Sequence, residues 1–311
     1  MQKNLAFIFP GQGSQAVSML ADFVGNDVVQ NTFSEASTAL GYDLWQLVFA
    51  GPAEKLNQTS YTQPALLTAS VALWRLWQSQ SDIKPTLLAG HSLGEYSALV
   101  CADVLSLADA VQLVEKRGEF MQTSVPEGIG AMAAIIGLDD QSTIAACAQA
   151  QENDVVAAVN FNSPGQVVIA GHKAAVARAG ELCKSAGAKR VLPLPVSVPS
   201  HCALMKGAAE KLSIELDKLT FNEPTINVVN NVDVAMERSA ENIKNALVKQ
   251  LYSPVRWTET VESLSKQGIS LVVEAGPGKV LQGLIKRIDK SITCVPINDK
   301  ASLDKALELI K

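Results

Sequence analysis

Three short apolar runs, Leu5 to Phe9, Thr86 to Ala89 and Leu271 to Val273, constrain this chain more than any other feature of its sequence. Each ends at a glycine-containing turn and is followed by a helix-like segment. Strands this uniformly apolar are covered on both faces, the condition of a parallel sheet flanked by helices. A chain of 311 residues with 48% hydrophobic composition is long enough to bury such a core in one large domain or two. Aromatic residues are scarce at 5%, which fits helices packed on a parallel sheet better than an antiparallel sandwich.

Between about residues 125 and 197 the rhythm changes. A strand (Ile129 to Ile136), a helix (Ser142 to Ala150), two strands (Val155 to Asn160 and Gln166 to Ala170), a helix (Lys173 to Ala186) and a strand (Arg190 to Leu194) are expected in turn. That order, β-α-β-β-α-β, is the ferredoxin-like unit. Pro126 and Gly128 precede it and Pro193, Pro195 and Pro199 follow it, the punctuation of an inserted small subdomain over 125–197.

A net charge of -5 and a pI near 5.3 argue against a general nucleic-acid surface, because phosphate binding needs a clustered excess of Lys and Arg. The five cysteines are widely spaced and form no C-x-x-C pair, so reduced thiols in the cytoplasm are expected. Leu5 to Phe9 is too short for a signal-peptide core, and no stretch of about 18 uncharged apolar residues occurs, so neither export nor a membrane partner is expected. No cluster with metal-ligand spacing is visible either.

Gly90-His91-Ser92-Leu93-Gly94 is a G-x-S-x-G motif between a strand-like and a helix-like segment. In that setting the glycines permit a strained turn that exposes the serine hydroxyl beside backbone N–H groups, which can stabilise an oxyanion. The same five residues also suit a plain glycine-rich connection. A nucleophilic serine needs a base, and His91, His172 and His201 are the histidines of the chain. His91 adjoins the serine, and on such an elbow its ring points away from the hydroxyl. His172 follows Gly171 in the inserted unit and reads as a surface or capping residue. His201 falls in the turn-like Val198-Pro199-Ser200-His201-Cys202, at the entry to a helix expected over Ala203 to Leu212, where the inserted unit returns to the main body. A base suits that cleft, though a lone histidine in such a place is more often structural.

Ser106 and Asp109 open a helix running to about Met121. At 100° per residue, Ala110, Leu113, Val114, Phe120 and Met121 share a face with Arg117, while Glu115, Glu119 and Gln122 lie opposite. A guanidinium on an apolar face needs an anion or several acceptors. The partner is either a structural counterion or a substrate carboxylate held by two parallel bonds.

The blocks Phe9-Pro10-Gly11-Gln12-Gly13-Ser14-Gln15 and Gly90-His91-Ser92-Leu93-Gly94-Glu95 together resemble the malonyl-CoA:acyl carrier protein transacylases of bacterial fatty acid synthesis. Tyr61-Thr62-Gln63-Pro64-Ala65, Arg117-Gly118, Asn162-Ser163-Pro164-Gly165-Gln166, Val198-Pro199-Ser200-His201 and Glu274-Ala275-Gly276-Pro277-Gly278 extend the resemblance over nearly the whole chain. It implies an α/β-hydrolase-like large domain with a mostly parallel sheet over 1–124 and 198–311, and the active site in the groove beside the ferredoxin-like subdomain.

In the same terms, the resemblance implies Ser92 as nucleophile, His201 as base, and Gln250 as the residue whose backbone carbonyl orients the histidine. Gln12 and the Leu93 N–H are implied as the oxyanion hole, and Arg117 as the site of the free malonyl carboxylate. It implies malonyl-CoA and an acyl carrier protein as partners, a monomer, and no cofactor beyond the coenzyme A thioester that is itself a substrate. Because carrier proteins of this kind are acidic, Lys184, Lys189, Arg190, Lys206, Lys279, Lys286 and Arg287 are candidates to receive one. A serine esterase or thioesterase would share the elbow but has no use for Arg117. A methylmalonyl-selective transferase is not excluded by the small Ser200 before the histidine.

Overall fold

The computed structural model describes residues 4–196 and 198–310. The expected domain ends at Met1, Ser197 and Lys311 lie outside the described residues. Nine strands among these residues form two sheets. The first has the order β7-β2-β1-β8-β9, from β1 (Leu5–Phe9), β2 (Leu87–Gly90), β7 (Asn227–Val229), β8 (Leu271–Glu274) and β9 (Thr293–Pro296). Every neighbouring pair in it is parallel. The second has the order β4-β5-β3-β6, from β3 (Gly130–Ile136), β4 (Val156–Ser163), β5 (Gln166–His172) and β6 (Arg190–Pro193), and is antiparallel throughout.

The three apolar runs are the central strands β2, β1 and β8, as their double-sided burial demands. Alternate residues of β1 enter different cores: Leu5, Phe7 and Phe9 pack on one face of the sheet, Ala6 and Ile8 on the other. Phe7 meets Trp74 and Trp77 of the helix Thr59–Gln78 edge-to-face, with ring centroids 4.9 and 5.1 Å apart.

One expectation needs correction. β1 does not lead into a tight turn and helix as β2 and β8 do; the chain runs irregularly from Pro10, through one short 3-10 turn at Ala21–Phe23, to the helix Asp27–Leu40. Gln15 Oε1 accepts from the Gly13 N–H at 2.8 Å, and Gln15 Nε2 donates to Asn57 at 2.9 Å, so this loop is held by side chains against the segment before Thr59.

The segment expected to form β-α-β-β-α-β does so, with helices Asp140–Ala150 and Lys173–Ser185 between the strands. Ala133, Ile135, Val156 and Ile169 pack under these helices, while Met132, Ala134, Val159 and Val168 face the opposite way, toward Cys202. Strand β4 is also tied to the rest of the chain. The Val255 N–H donates to the Val159 carbonyl at 2.8 Å, and the Phe161 N–H donates to the Val255 carbonyl at 3.0 Å. All five cysteines are free thiols, four of them buried. No helix among the described residues is long and apolar enough to cross a membrane.

The helix Leu107–Thr123 starts where Ser106 and Asp109 place it, the Ser106 hydroxyl accepting from the Asp109 N–H at 3.0 Å. It approaches the start of the helix Thr59–Gln78 so closely at Gly118 that a Cβ there would stand 2.7 Å from the Ser60 backbone. Gly118→Ala should therefore lower the free energy of unfolding in urea by about 1–3 kcal/mol, the usual cost of overpacking. An unchanged unfolding midpoint would show that the two helices part at no cost.

Candidate active site

Strand β2 ends at Gly90 and the helix Gly94–Cys101 begins four residues later, which leaves His91, Ser92 and Leu93 to reverse the chain. Both flanking glycines are required by contact rather than by conformation. A Cβ at Gly90 would fall 1.9 Å from the Gly94 carbonyl carbon, and one at Gly94 would fall 2.0 Å from the Phe9 oxygen. Ser92 sits in the left-handed region at φ 53°, costly for a residue with a side chain and sustained here by its surroundings. Asn231, just beyond β7, bridges the turn: its Oδ1 accepts from the Ser92 N–H at 2.6 Å and its Nδ2 donates to the Gly90 carbonyl at 2.6 Å.

The Ser92 hydroxyl lies 2.8 Å from His201 Nε2. His201 Nδ1 in turn lies 2.7 Å from the backbone carbonyl of Gln250. A carbonyl only accepts, so Nδ1 carries the hydrogen and Nε2 is left to take the serine proton. His201 also has positive φ, 65°, and its own N–H donates to the Leu251 carbonyl at 2.9 Å. Two bonds to the end of the helix Ala240–Gln250 thus hold both backbone and ring. The turn after His201 is a short 3-10 segment, Ala203–Met205, and the expected helix begins only at Lys206 and runs to Asp217.

Arg117 is 1% exposed, among the largest fully buried side chains. Its Nη1 donates to Gln63 Oε1 at 2.8 Å, and its Nη2 donates to Gln250 Oε1 at 2.9 Å and, more weakly, to the Ser92 hydroxyl at 3.4 Å. Its guanidinium carbon stands 5.2 Å from the centre of the Tyr96 ring. No carboxylate touches it among the described residues. Arg117, Ser92, His201, Leu93 and Gln12 all line one cavity of about 270 Å³, which Met132, Leu194 and Val196 line as well. The Leu93 N–H, at the N-terminus of the helix Gly94–Cys101, has no acceptor among the described residues, and Gln12 reaches Thr59 Oγ1 at 3.4 Å.

The other two histidines are engaged elsewhere. His91 Nε2 lies 2.8 Å from Asn162 Oδ1 and the ring stacks obliquely on Trp257, turned from the serine hydroxyl as expected. His172 stands at the start of the helix Lys173–Ser185, where its Nδ1 accepts from the Val155 N–H at 3.0 Å instead of capping the helix. Of the basic candidates, Lys184 pairs with Glu181 and Arg287 donates to Gln166, while Lys189, Arg190, Lys206, Lys279 and Lys286 are exposed.

Sequence reasoning missed three contributors: Gln63, Asn231 and Glu95. Glu95 Oε2 accepts from Gln250 Nε2 at 2.8 Å and from the Asn231 N–H at 3.0 Å. Gln63 and Glu95 lie within blocks that carried the family resemblance, and only their burial gives them a role. Nothing local marks Asn231, whose partners are 136 to 141 residues away in sequence.

A hydroxyl bonded to an oriented neutral imidazole, beside the free N–H of Leu93 at a helix start, defines a serine site built for acyl transfer. A model of the acyl transferase domain matches residues 6–305. The chain is 64% identical over 307 residues to the malonyl CoA-acyl carrier protein transacylase of Escherichia coli strain K12, covering 98% of this chain and 99% of that one. An acyl carrier protein S-malonyltransferase from Vibrio cholerae superposes with a TM-score of 0.96 at 63% identity, over 97% of this chain and 99% of that one. A malonyl-transacylase solved in complex with its type II PKS acyl-carrier protein superposes with a TM-score of 0.97 at 60% identity, over 98% and 99% of the two chains. The chain belongs to the malonyl CoA-acyl carrier protein transacylases of the acyl transferase family.

Burial, reinforced by the Arg117 cation, lowers the His201 pKa to about 3 against the pull of the Gln250 carbonyl. An unfolded histidine takes up its proton near pH 6.5, so between that pH and about 3 unfolding binds one proton at this residue. The contribution of His201 is complete above pH 6.5 and is lost as the pH falls. In urea titrations between pH 6 and 4, His201→Asn should therefore lose stability less steeply than the wild type, by about 1.4 kcal/mol per pH unit. Parallel slopes would show that His201 titrates as an ordinary histidine.

Proposed function

We propose that this chain transfers a malonyl group from malonyl-CoA to the phosphopantetheine thiol of an acyl carrier protein, through an ester on Ser92. One observation carries the reading: the hydrogen-bonded chain Ser92–His201–Gln250 opens into the same cavity as the buried, carboxylate-free Arg117. His201 takes the serine proton as Oγ attacks the thioester carbonyl, and the oxyanion forms against the Leu93 N–H and Gln12. The C–S bond then breaks, and His201 returns the proton to the departing coenzyme A thiolate. In the second half the carrier thiol gives its proton to His201 and attacks the ester, and Ser92 leaves with a proton again. Both halves run on protein groups alone, with the coenzyme A thioester as substrate rather than cofactor.

Arg117 holds the free carboxylate. A neutral acceptor set, Gln63 and Gln250, keeps the buried guanidinium in place without neutralising it, so an incoming anion finds an uncompensated charge in a place shielded from water. A thioesterase gains nothing from such a residue.

We read the division of the chain in the same way. Residues 1–124 and 198–311 form an α/β-hydrolase-like catalytic domain and residues 125–197 a ferredoxin-like subdomain. The parallel sheet of the one and the β4-β5-β3-β6 order of the other support this, each sheet having its own core. The protein works as a cytoplasmic monomer. Exposed Lys189, Arg190, Lys279 and Lys286 receive the acidic carrier, as the solved complex of a 60% identical relative with its carrier invites.

Intact-mass measurement after mixing with malonyl-CoA should show one malonyl group on the wild type and none on Ser92→Ala; an adduct on another residue would overturn the scheme. Arg117→Ala should lower the specificity for malonyl-CoA about 10- to 100-fold, the loss of a charge-assisted contact of about 1.5–3 kcal/mol. Acetyl-CoA, which has no carboxylate, should be used as well as before or better. Equal losses with both thioesters and an earlier melt would make Arg117 a structural residue.

Reversing the charge of Lys189, Arg190, Lys279 and Lys286 together should raise KM for the carrier and leave loading from malonyl-CoA unchanged. Equal loss in both half-reactions would remove this surface from the carrier site.

A further inference from the structure

Glu95 is a buried carboxylate that the acyl-transfer cycle does not use. It lies in the helix Gly94–Cys101, every residue of which is buried, and is itself 2% exposed. Its Oε2 accepts from Gln250 Nε2 at 2.8 Å and from the Asn231 N–H at 3.0 Å. Burial pushes its pKa up to about 7, and Asp233 adds to the rise; the Gln250 and Asn231 donors and the Arg117 charge oppose it.

Oε2 takes the Asn231 N–H and so acts as an acceptor, and the Gln250 side chain must turn its NH2 toward it. The Ser92 carbonyl takes the same amide nitrogen at 3.0 Å. The amide oxygen is thereby left on the opposite side, where it accepts from Arg117 Nη2 at 2.9 Å. Turning the amide over would set its oxygen against the Glu95 and Ser92 oxygens, and its NH2 against the guanidinium. All three bonds would be lost, and two of the three groups that lose them, Glu95 and Arg117, are buried.

We propose that Glu95 is a positioning residue for substrate choice: acting through Gln250, it holds the Arg117 guanidinium at the angle that receives a carboxylate. The inference rests on the reading of Arg117 as the carboxylate site. Arg117 has only neutral partners, Gln63, Gln250 and the Ser92 hydroxyl. Glu95 is thus the acceptor whose hold reaches it through one intervening side chain. Without that acceptor the Gln250 amide is held only by the Ser92 carbonyl and Arg117, and its orientation is less firmly set. The guanidinium then loses a fixed acceptor, and a dicarboxylic thioester loses more than a monocarboxylic one.

The test measures Ser92 loading rates from malonyl-CoA and from acetyl-CoA, with melting temperatures, for the wild type, Glu95→Ala, Glu95→Met, Glu95→Gln and Arg117→Ala. Glu95→Ala should lower the ratio of malonyl to acetyl loading about tenfold or more, the usual consequence of leaving a buried donor unpaired. Glu95→Met, which fills the same volume and accepts nothing, should do the same and serves if the alanine variant does not fold. Glu95→Gln keeps an acceptor oxygen at this place and should hold the ratio within about threefold of the wild type.

Loss of both rates in proportion in Glu95→Ala or Glu95→Met, with the ratio unchanged and a lower melting temperature, would overturn the proposal and leave Glu95 a structural residue. A Glu95→Gln ratio as low as that of Glu95→Ala would overturn it as well. If Arg117→Ala lowers the ratio and the Glu95 variants do not, this inference alone fails. If Arg117→Ala leaves the ratio unchanged, the carboxylate site fails and the inference with it.

Discussion

A permanent positive charge buried beside the Ser92 hydroxyl is the constraint around which the site is arranged. Arg117 keeps its proton at any working pH, so the fold must solvate it with fixed groups. It does so with dipoles rather than an ion: two glutamine oxygens, a serine hydroxyl and the face of Tyr96. A direct carboxylate partner would neutralise the guanidinium and compete with any anionic substrate. Setting Glu95 one residue further out supplies the negative charge at a distance and leaves the inner hydrogen bonds to neutral amides. Burial, with the same cation beside it, depresses the His201 pKa, so its imidazole stays neutral.

Gln250 ties these demands together. Its backbone carbonyl fixes the tautomer of His201, and its side chain connects Arg117, Ser92 and Glu95. One residue at the end of the helix Ala240–Gln250 thus bonds to the His201 ring, the Ser92 backbone and Arg117. The elbow is fixed from the other side by Asn231, whose side chain spans Gly90 and Ser92. Ser92 and His201 are both held in the left-handed region, and each is tied down by a hydrogen bond to its own N–H.

How much of this was legible in the sequence depends on the range of the interaction that determines it. The strands β1, β2 and β8 were readable because burial on both faces writes itself into consecutive apolar residues. The β-α-β-β-α-β segment was readable because its turns and periodicities are local. Arg117 stood out because a charge on an apolar helix face contradicts the pattern around it. The edge strands β7 and β9 escaped notice: they span three and four residues, and only one residue of β9 is buried, so neither shows a clear run. The loop after β1 was misread because its shape comes from Gln15 reaching Asn57, a contact 42 residues distant in sequence. Asn231, Gln63 and the role of Glu95 were hidden for the same reason.

The two sheets divide the work unequally. Ser92, His201, Arg117, Gln250 and Leu93 all belong to the part of the chain built on the parallel sheet, which sets their mutual geometry. The antiparallel sheet contributes an apolar wall through Met132, with Leu194 and Val196 just beyond β6, and Asn162 as a partner for His91. That partnership is the point where the sheets meet at the elbow, and the backbone bonds of β4 to Val255 make the meeting continuous. The cavity of about 270 Å³ has Ser92, His201 and Arg117 in one part of its lining and Met132, Leu194 and Val196 in another. The hydrogen bonds that hold Ser92, His201 and Arg117 are made without these apolar side chains, so a change among them can reshape the cavity while leaving those bonds in place.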